Sequence, residues 1–431
     1  MKKKILLIAY YWPPGGGIAV RRWMGLANAF CRNGVEVHVL TIDPASAAYQ
    51  HVDESLAGEI EASIVVHRVK AFNPFAVIKK VAPSAIPGPS FSENKSSGLL
   101  GRLLKVLRSH LFIPDPRKTW VRKAIQKGCA LVDEYDLQTV ITTSPPQSVQ
   151  LIGQGIKRAC PNVQWIADFR DPWTDIFYYE RLGHSPLSRR IDAAMERKVL
   201  EQADMVVAAS WGFRDLLAAK VDRTNFEKFH VLTNGMDFNP KPMKHQAPAK
   251  ESPFRVVYTG TLAPSYAAEQ VLDTIVELNL GGHSRRIEFD YYGGISAEYQ
   301  TQLEKQYDFI RFHGFIAQHQ IGAVQCAADL LFLLSPDVDK SQGIIPGKLF
   351  EYMGSLRPIA FLGHPSDDVT RILEETQSGV CLPRGDSEAI REALLQLVKA
   401  ASTAADEEKR LAQIQPYIRS FQAQRLLDLL D

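Results

Sequence analysis

Two kinds of hydrophobic pattern alternate along the chain. Residues 5–9 (ILLIA) form a short, unbroken apolar run bounded by a turn cluster, the pattern of a parallel strand covered on both faces. A loop with Pro13, Pro14, Gly15, Gly16 and Gly17 follows. Residues 19–33 then space Val20, Trp23, Met24, Leu26, Ala27 and Phe30 for one helical face, and Gly34 stands where a helix C-cap belongs. Residues 35–42 read as a second strand. The unit recurs as strand 139–143, helix 147–158 and strand 164–167, with later strands at 205–208 and 230–232. Such alternation predicts a doubly wound α/β domain.

Around residues 239–252 the text turns to NPKPMKHQAPAKES, rich in Pro and Lys and without periodicity, which predicts a linker. The strand–helix alternation then restarts at 254–258 and runs through strands 287–292, 310–312, 330–334 and 359–361. Helices are predicted at 267–278, 297–307, 348–353 and 367–377. The domain organisation expected is therefore 1–238, a linker 239–252, a second Rossmann-like domain 253–403 and a helical tail 404–431.

Composition adds little until it is taken locally. The 431 residues carry 50 Lys and Arg against 48 acids, a net charge of +2, which excludes a dedicated nucleic-acid binder. Residues 70–127, however, hold 12 Lys and Arg against Glu93 and Asp115, a local charge of +10, leaving the remainder near −8. Five scattered cysteines with no CxxC fit neither a disulfide framework nor a zinc site. The histidines show no metal-ligand spacing. The amino-terminal apolar run is too short for a signal peptide, and no 18 consecutive apolar residues occur. A cytoplasmic protein is expected.

Four stretches offer chemistry. The Gly15–Gly17 loop joins strand to helix, where backbone N–H groups suit an anion; it lacks the dinucleotide fingerprint, and a plain tight turn is the alternative. Arg21 and Arg22 follow. Ser144 and Gln147 sit in TTSPPQS after one strand. Asp168, Arg170 and Asp171 sit in DFRDPW after the next, at carboxyl ends where open α/β sheets bind ligands. The two carboxylates and guanidinium suit a general base with a charge clamp, or an internal ion pair that shapes a turn. In the second domain, Gly347 and Lys348 open a helix and Glu351 lies one turn on. That arrangement suits a pyrophosphate and a ribose diol, or a surface pair at i,i+3. Gly260 and Thr261, in YTGTL, and HGFI, with Phe315 and Ile316, also follow strands.

Taken together, YYWPPGGG, VEVHVLT, DFRDPW, TNGMD, YTGTL, HGFI, ADLLFLL and GKLFEYMGSLRPI resemble, in order and over essentially the whole chain, the GT-B glycosyltransferases of family 4. YYWPP and DFRDPW are similar to the branch that builds bacterial surface polysaccharides. The resemblance implies two Rossmann-like domains facing a central cleft, with a carboxyl-terminal helix crossing back to the first. It implies a nucleotide-sugar donor, UDP- or GDP-linked, no other cofactor and no catalytic metal. Donor binding would then fall to Gly16, Gly260, Thr261, Phe315, Ile316, Gly347, Lys348 and Glu351. The acceptor side would use Ser144, Gln147 and Arg21, with Asp171, Asp168 and Arg170 as the catalytic group. Two departures stand out. The family's E-x7-E motif needs Glu at 343, where this chain has Gly343. The YTG loop also lacks the cations that usually follow it.

The activity implied is hexosyl or N-acetylhexosaminyl transfer to a hydroxyl of a glycan or lipid-linked acceptor. A nucleotide-sugar epimerase on the same fold, or a non-catalytic sugar-binding homologue, are the alternatives. In LLGRLLKVLRSHLF, Arg102, Lys105 and Arg108 interleave with Leu and Val. The run suits an anionic membrane surface, making the enzyme peripheral on its inner face, or a helix packed on the first domain with its cations solvated.

Overall fold

A computed structural model of the chain describes residues 3–49, 51–73, 112–237, 252–281, 285–338, 343–400 and 404–430. It comprises two compact units, Met1–Gly235 with Arg419–Asp431, and Met236–Ile418.

The first unit is built on β1 (Lys4–Ala9), α1 (Ile18–Arg32), β2 (Glu36–Ile42), β3 (Val65–Val69), α2 (Val121–Tyr135) and β4 (Thr139–Ser144). It continues through α3 (Ser148–Ala159), β5 (Gln164–Phe169), α4 (Pro186–Gln202), β6 (Met205–Ala208), α5 (Trp211–Ala218) and β7 (Phe229–Val231). All seven strands are parallel, in the order β3-β2-β1-β4-β5-β6-β7. Ile5, Leu7, Val37, Val39, Ile141 and Ile166 from the central strands pack against Val20, Trp23 and Ala27 of α1. The strand order reverses between β1 and β4, which is where doubly wound sheets open a crevice.

The second unit repeats the plan with β8 (Phe254–Thr259), α6 (Glu269–Leu280), β9 (Ile287–Tyr292), α7 (Ala297–Gln306), β10 (Ile310–Phe312), α8 (Gln318–Cys326) and β11 (Leu330–Leu334). After these come α9 (Lys348–Gly354), β12 (Ile359–Gly363), α10 (Asp368–Thr376), β13 (Gly379–Pro383), α11 (Ser387–Lys399) and α12 (Ala404–Gln413). Its six parallel strands run β10-β9-β8-β11-β12-β13, with the reversal between β8 and β11. The doubly wound fold expected from the alternating text is the fold observed, with helices on both faces of two parallel sheets. No helix among the described residues is long and apolar enough to cross a membrane.

The tail differs from the expectation of one returning helix from 404. Pro416 breaks it, in a tight turn over Gln415–Tyr417. Before that turn, α12 belongs to the second unit, where the Tyr417 hydroxyl donates to Glu375 at 2.9 Å. After it, α13 (Arg419–Asp428) belongs to the first unit. There Ala423, Leu426 and Leu427 join the α1 core, and Arg419 donates to the carbonyls of Asn234 and Gly235.

Candidate functional site

In the first unit the residues at the strand-order reversal form one buried polar cluster. Asp168, at the end of β5, is wholly buried. Its carboxylate accepts from both terminal nitrogens of Arg22 at 2.6 and 2.8 Å, from the Trp23 indole at 2.7 Å and from the Thr143 hydroxyl at 2.7 Å. Arg22 is equally buried and donates also to the Leu232 carbonyl at 2.8 Å. Three of these bonds fall on Oδ2 and one on Oδ1, and the full burial leaves the carboxylate no opening to solvent. Asp168 ties α1, β4 and β5 together, and through Arg22 the end of β7, so here it serves as an anchor.

Asp171, three residues on, is different. It pairs with its neighbour Arg170 at 2.8 Å, and both side chains are about a quarter exposed. Burial works against the Arg170 charge, but Asp171 outweighs it and holds the guanidinium above its ordinary value. The Arg170 backbone N–H is pinned to the Ser144 carbonyl at 3.0 Å. A small notch beside it is lined by Tyr10, Tyr11, Thr143, Ser144, Pro145 and Arg170.

Of the acceptor-side residues, Ser144 is buried and its hydroxyl is used internally, accepting from Gln150 at 3.0 Å. Arg21 lies near Glu59 and Asp53 at 3.5 and 3.9 Å, in the open. Gly16 does not offer its N–H to a ligand, because that group donates to the His51 carbonyl at 3.0 Å. Gln147 is the N-cap of α3 and is not among the residues lining the notch.

In the second unit two of the expected donor residues, Lys348 and Gly260, are in contact. Lys348 begins α9 and lays its ammonium group over the Tyr258 ring, 5.0 Å from the centroid and 3.4 Å from the hydroxyl. Burial pulls its pKa below the usual lysine value, with Glu351 one turn on pulling the other way. Gly260 (φ +140°) follows β8. A Cβ there would stand 1.8 Å from the Lys348 nitrogen, so only glycine leaves the ammonium its place. Tyr352, fully buried in α9, accepts from the Thr259 N–H at 2.9 Å and ties this helix to the strand before Gly260. Thr261 and Glu351 are exposed at the rim.

Three residues here escape sequence reasoning. Gly293 (φ +144°) would carry its Cβ 2.0 Å from the Gly260 carbonyl, so the loops after β8 and β9 close on each other only because both residues are glycine. Gly293 donates to Gly314 at 2.9 Å, and the Tyr291 hydroxyl lies 2.8 and 2.7 Å from the Gly260 and Gly294 carbonyls. Arg384, nearly buried, donates to the carbonyls of Tyr266 and Ser335 at 2.9 and 3.0 Å, joining the loops after β8 and β11. Beside Gly294 stands Phe315, 86 % exposed, and His313 stacks on Tyr292 at 4.4 Å while bonding Asp290 at 2.7 Å. Gly343 is buried. Among the described residues no three His, Cys, Asp or Glu side chains gather as a metal-ligand group.

A glycosyl transferase 4-like domain model matches residues 16–235, more than half of the chain. The chain is a GT-B glycosyltransferase of the family 4-like type. A second model, glycosyl transferases group 1, matches residues 253–400 of this glycosyltransferase, the span of the second sheet. Its fold is similar to a solved glycosyltransferase from Rickettsia africae, at TM-score 0.61 and 12 % identity, covering 99 % of this chain and 97 % of that one. It is similar also to Anabaena HepE, solved with UDP and glucose, at 0.57 and 14 %, covering 99 % of both. The lipopolysaccharide outer core galactosyltransferase WaaB matches at 0.57 and 12 %, again over 99 % of both. No curated protein matches the glycosyltransferase at the level of sequence.

Proposed function

We propose that this glycosyltransferase moves a hexosyl or N-acetylhexosaminyl group, without a metal, from a UDP- or GDP-sugar to a hydroxyl of a glycan or lipid-linked acceptor in surface polysaccharide synthesis. The observation that carries the donor assignment is Lys348 seated on Gly260, with Gly293 holding the neighbouring loop against it. A partly desolvated ammonium group at a fixed point is a preorganised counter-charge for a departing diphosphate. Glu351 stands one helical turn away for a ribose diol, and the exposed Phe315 ring, with the Ile316 backbone, offers a face to the base. With no cation after Gly260 and no Glu at 343, Lys348 carries the phosphate charge in this reading. Asp171, positioned by Arg170, takes the acceptor hydroxyl.

The test is a thermal-shift panel of nucleosides, nucleoside diphosphates and nucleotide sugars, since a ligand at about 100 times its Kd adds about 2.7 kcal/mol to the native state. UDP- or GDP-sugars should raise Tm and Lys348→Ala should abolish the rise. A Lys348→Ala protein that keeps both the shift and transfer defeats the donor assignment. Incubation without acceptor separates transfer from epimerisation, because only an epimerase changes the sugar of the donor.

The membrane expectation placed on Arg102, Lys105 and Arg108 lies outside the described residues. It gains support from α4, which turns Asp192 and Glu196 inward and shows Leu187 (66 % exposed), Ile191, Arg190, Arg197 and Lys198 to solvent. An apolar face ringed by cations suits an anionic bilayer on the cytoplasmic side. Co-sedimentation with vesicles that is indifferent to anionic lipid refutes this part.

A further inference from the structure

The interface between α2 and α3 holds two thiols that the proposed transfer chemistry leaves unused. Each helix sets a glycine beneath an isoleucine of the other. A Cβ on Gly128 would stand 2.4 Å from the Ile156 Cδ1, and one on Gly155 would stand 2.4 Å from the Ile125 Cδ1. The two backbones therefore lie close. Cys129 is one turn beyond Ile125, on the same face of α2. Cys160 is one turn beyond Ile156, at the C-cap of α3, where its N–H donates to the Ile156 carbonyl at 2.7 Å. The interlocked isoleucines are thus followed, on the next rung, by two cysteines whose side chains hydrogen-bond to each other. Both are free thiols and both are partly exposed.

The cysteines stand 31 positions apart in the chain, and only the packing of α2 on α3 brings them together. Burial and the adjoining thiol push Cys129 up to about 11, so it stays protonated at neutral pH and Cys160 attacks first. Hydrogen peroxide supplies the oxidant. The Cys160 thiolate attacks one peroxide oxygen and breaks the O–O bond, leaving a sulfenic acid and one water. The Cys129 sulfur then attacks the Cys160 sulfur, forming the S–S bond and breaking the S–O bond, and a second water leaves. Two thiols give up two electrons and two protons, and one peroxide becomes two waters.

We propose that Cys129 and Cys160 are a reversible disulfide site, oxidised by hydrogen peroxide, that cross-links α2 to α3 and stabilises the first unit. In a reducing compartment the pair rests as two thiols, and the link forms when peroxide rises. The two helices are already tied at their other ends. Asp115, in the turn that leads to α2, accepts from the Ser148 N–H at 2.7 Å and from its hydroxyl at 3.0 Å. Because Cys160 precedes β5, the new link lies at the amino-terminal edge of the sheet, whereas the notch lies at the carboxyl edge.

Treating the full chain with hydrogen peroxide, then digesting it with trypsin for mass spectrometry, tests the site. Residues 128–157 and 159–170 should be recovered as one linked peptide that dithiothreitol separates. Cys129→Ser and Cys160→Ser should each abolish it. A chain with Cys31, Cys326 and Cys381 all changed to Ser keeps only this pair and should still form the link, so the result does not rest on either single variant folding. Closing a loop of 31 residues should raise the melting of the first unit by roughly 7–15 °C, and dithiothreitol should reverse the rise. No linked peptide, a link through another cysteine instead, or only sulfinic and sulfonic acids at the two positions overturns the proposal. So does a linked protein whose first unit melts no higher than the reduced one.

Discussion

Changing Asp168 to Asn separates an anchor from a catalyst. The carboxylate accepts four hydrogen bonds in full burial, two of them from Arg22. Asn keeps one accepting oxygen and substitutes two N–H donors for the other, so at least one of Arg22, Trp23 and Thr143 meets a donor instead of an acceptor. The Arg22 charge, 1 % exposed, is then left in the interior without its counter-ion. Breaking such a pair from one side costs about 3–5 kcal/mol. In a unit of this size each kcal/mol moves Tm by about 2–4 °C, so the first unit should melt roughly 6–20 °C lower. Calorimetry reads this directly, and a drop confined to one of two transitions assigns it to the first unit. Donor binding at Lys348, in the other unit, should survive at temperatures where the first unit stays folded. If Asp168→Asn melts like the unaltered protein and loses transfer by orders of magnitude, the anchor argument is wrong and Asp168 is chemical.

Other perturbations follow from the same geometry. Lys348→Ala removes one charge from a diphosphate about 4 Å away, worth about 1 kcal/mol in water and about 4 kcal/mol at the reduced dielectric near a protein surface. UDP or GDP should thus bind fivefold to several-hundredfold more weakly by calorimetric titration while the nucleoside is unaffected; equal losses for both would refute it. Gly293→Ala puts a Cβ 2.0 Å from the Gly260 carbonyl at φ +144°, a conformation that alone costs about 1–3 kcal/mol, and should lower both the Tm of the second unit and nucleotide affinity. Asp171→Asn should lower transfer while leaving Tm and donor binding nearly unchanged, since its ion pair with Arg170 is partly exposed. For pH, burial pulls His67 and His230 below the ordinary value of 6.5, and His38, 3.0 Å from His67, presses His67 the same way. The native state then holds fewer protons than the unfolded one just below pH 6.5, so their contribution is complete above that pH and is lost as pH falls through the folded values. The buried carboxyls of Asp115, Asp192 and Asp367 are pushed up and have the opposite slope, so the readout is a difference. His67→Asn with His230→Asn should flatten the fall in Tm between pH 7 and 5; an unchanged slope rejects the assignment.

What the text of the chain shows and what it hides follow from one distinction, between local and long-range partners. The spacing of Gly347, Lys348 and Glu351 was readable because they sit within one turn of each other, whereas the seat of Lys348 on Tyr258, 90 positions away, was not. Gly293 carries a related signal, a glycine just after a strand, and is recoverable on the rule that singled out Gly260. DFRDPW was readable as a polar segment after a strand, yet nothing in it says which Asp is buried. That is decided by Arg22, 146 residues away, and by the side of β5 that faces α1. The missed β3 is an edge strand whose Val65 and Arg68 are exposed, so its pattern is mixed where a central strand is apolar throughout.

The missed α4 is more instructive, because its pattern is inverted. Its buried face carries Asp192 and Glu196, one turn apart, and its open face carries Leu187 and Ile191. Hydrophobic periodicity reads such a helix as facing the wrong way. The buried acids are matched from other segments: Trp173 and Tyr179 donate to Asp192, and Lys220 and Thr174 donate to Glu196 at 2.7 and 2.6 Å. A polar inner face costs stability unless every group is paired, and an apolar outer face is exposed to water for no gain in folding. Both departures occur on one helix. The pairing accounts for the inner face, since Trp173, Tyr179, Thr174 and Lys220 satisfy both acids and tie α4 to the loop after β5 and to the end of α5.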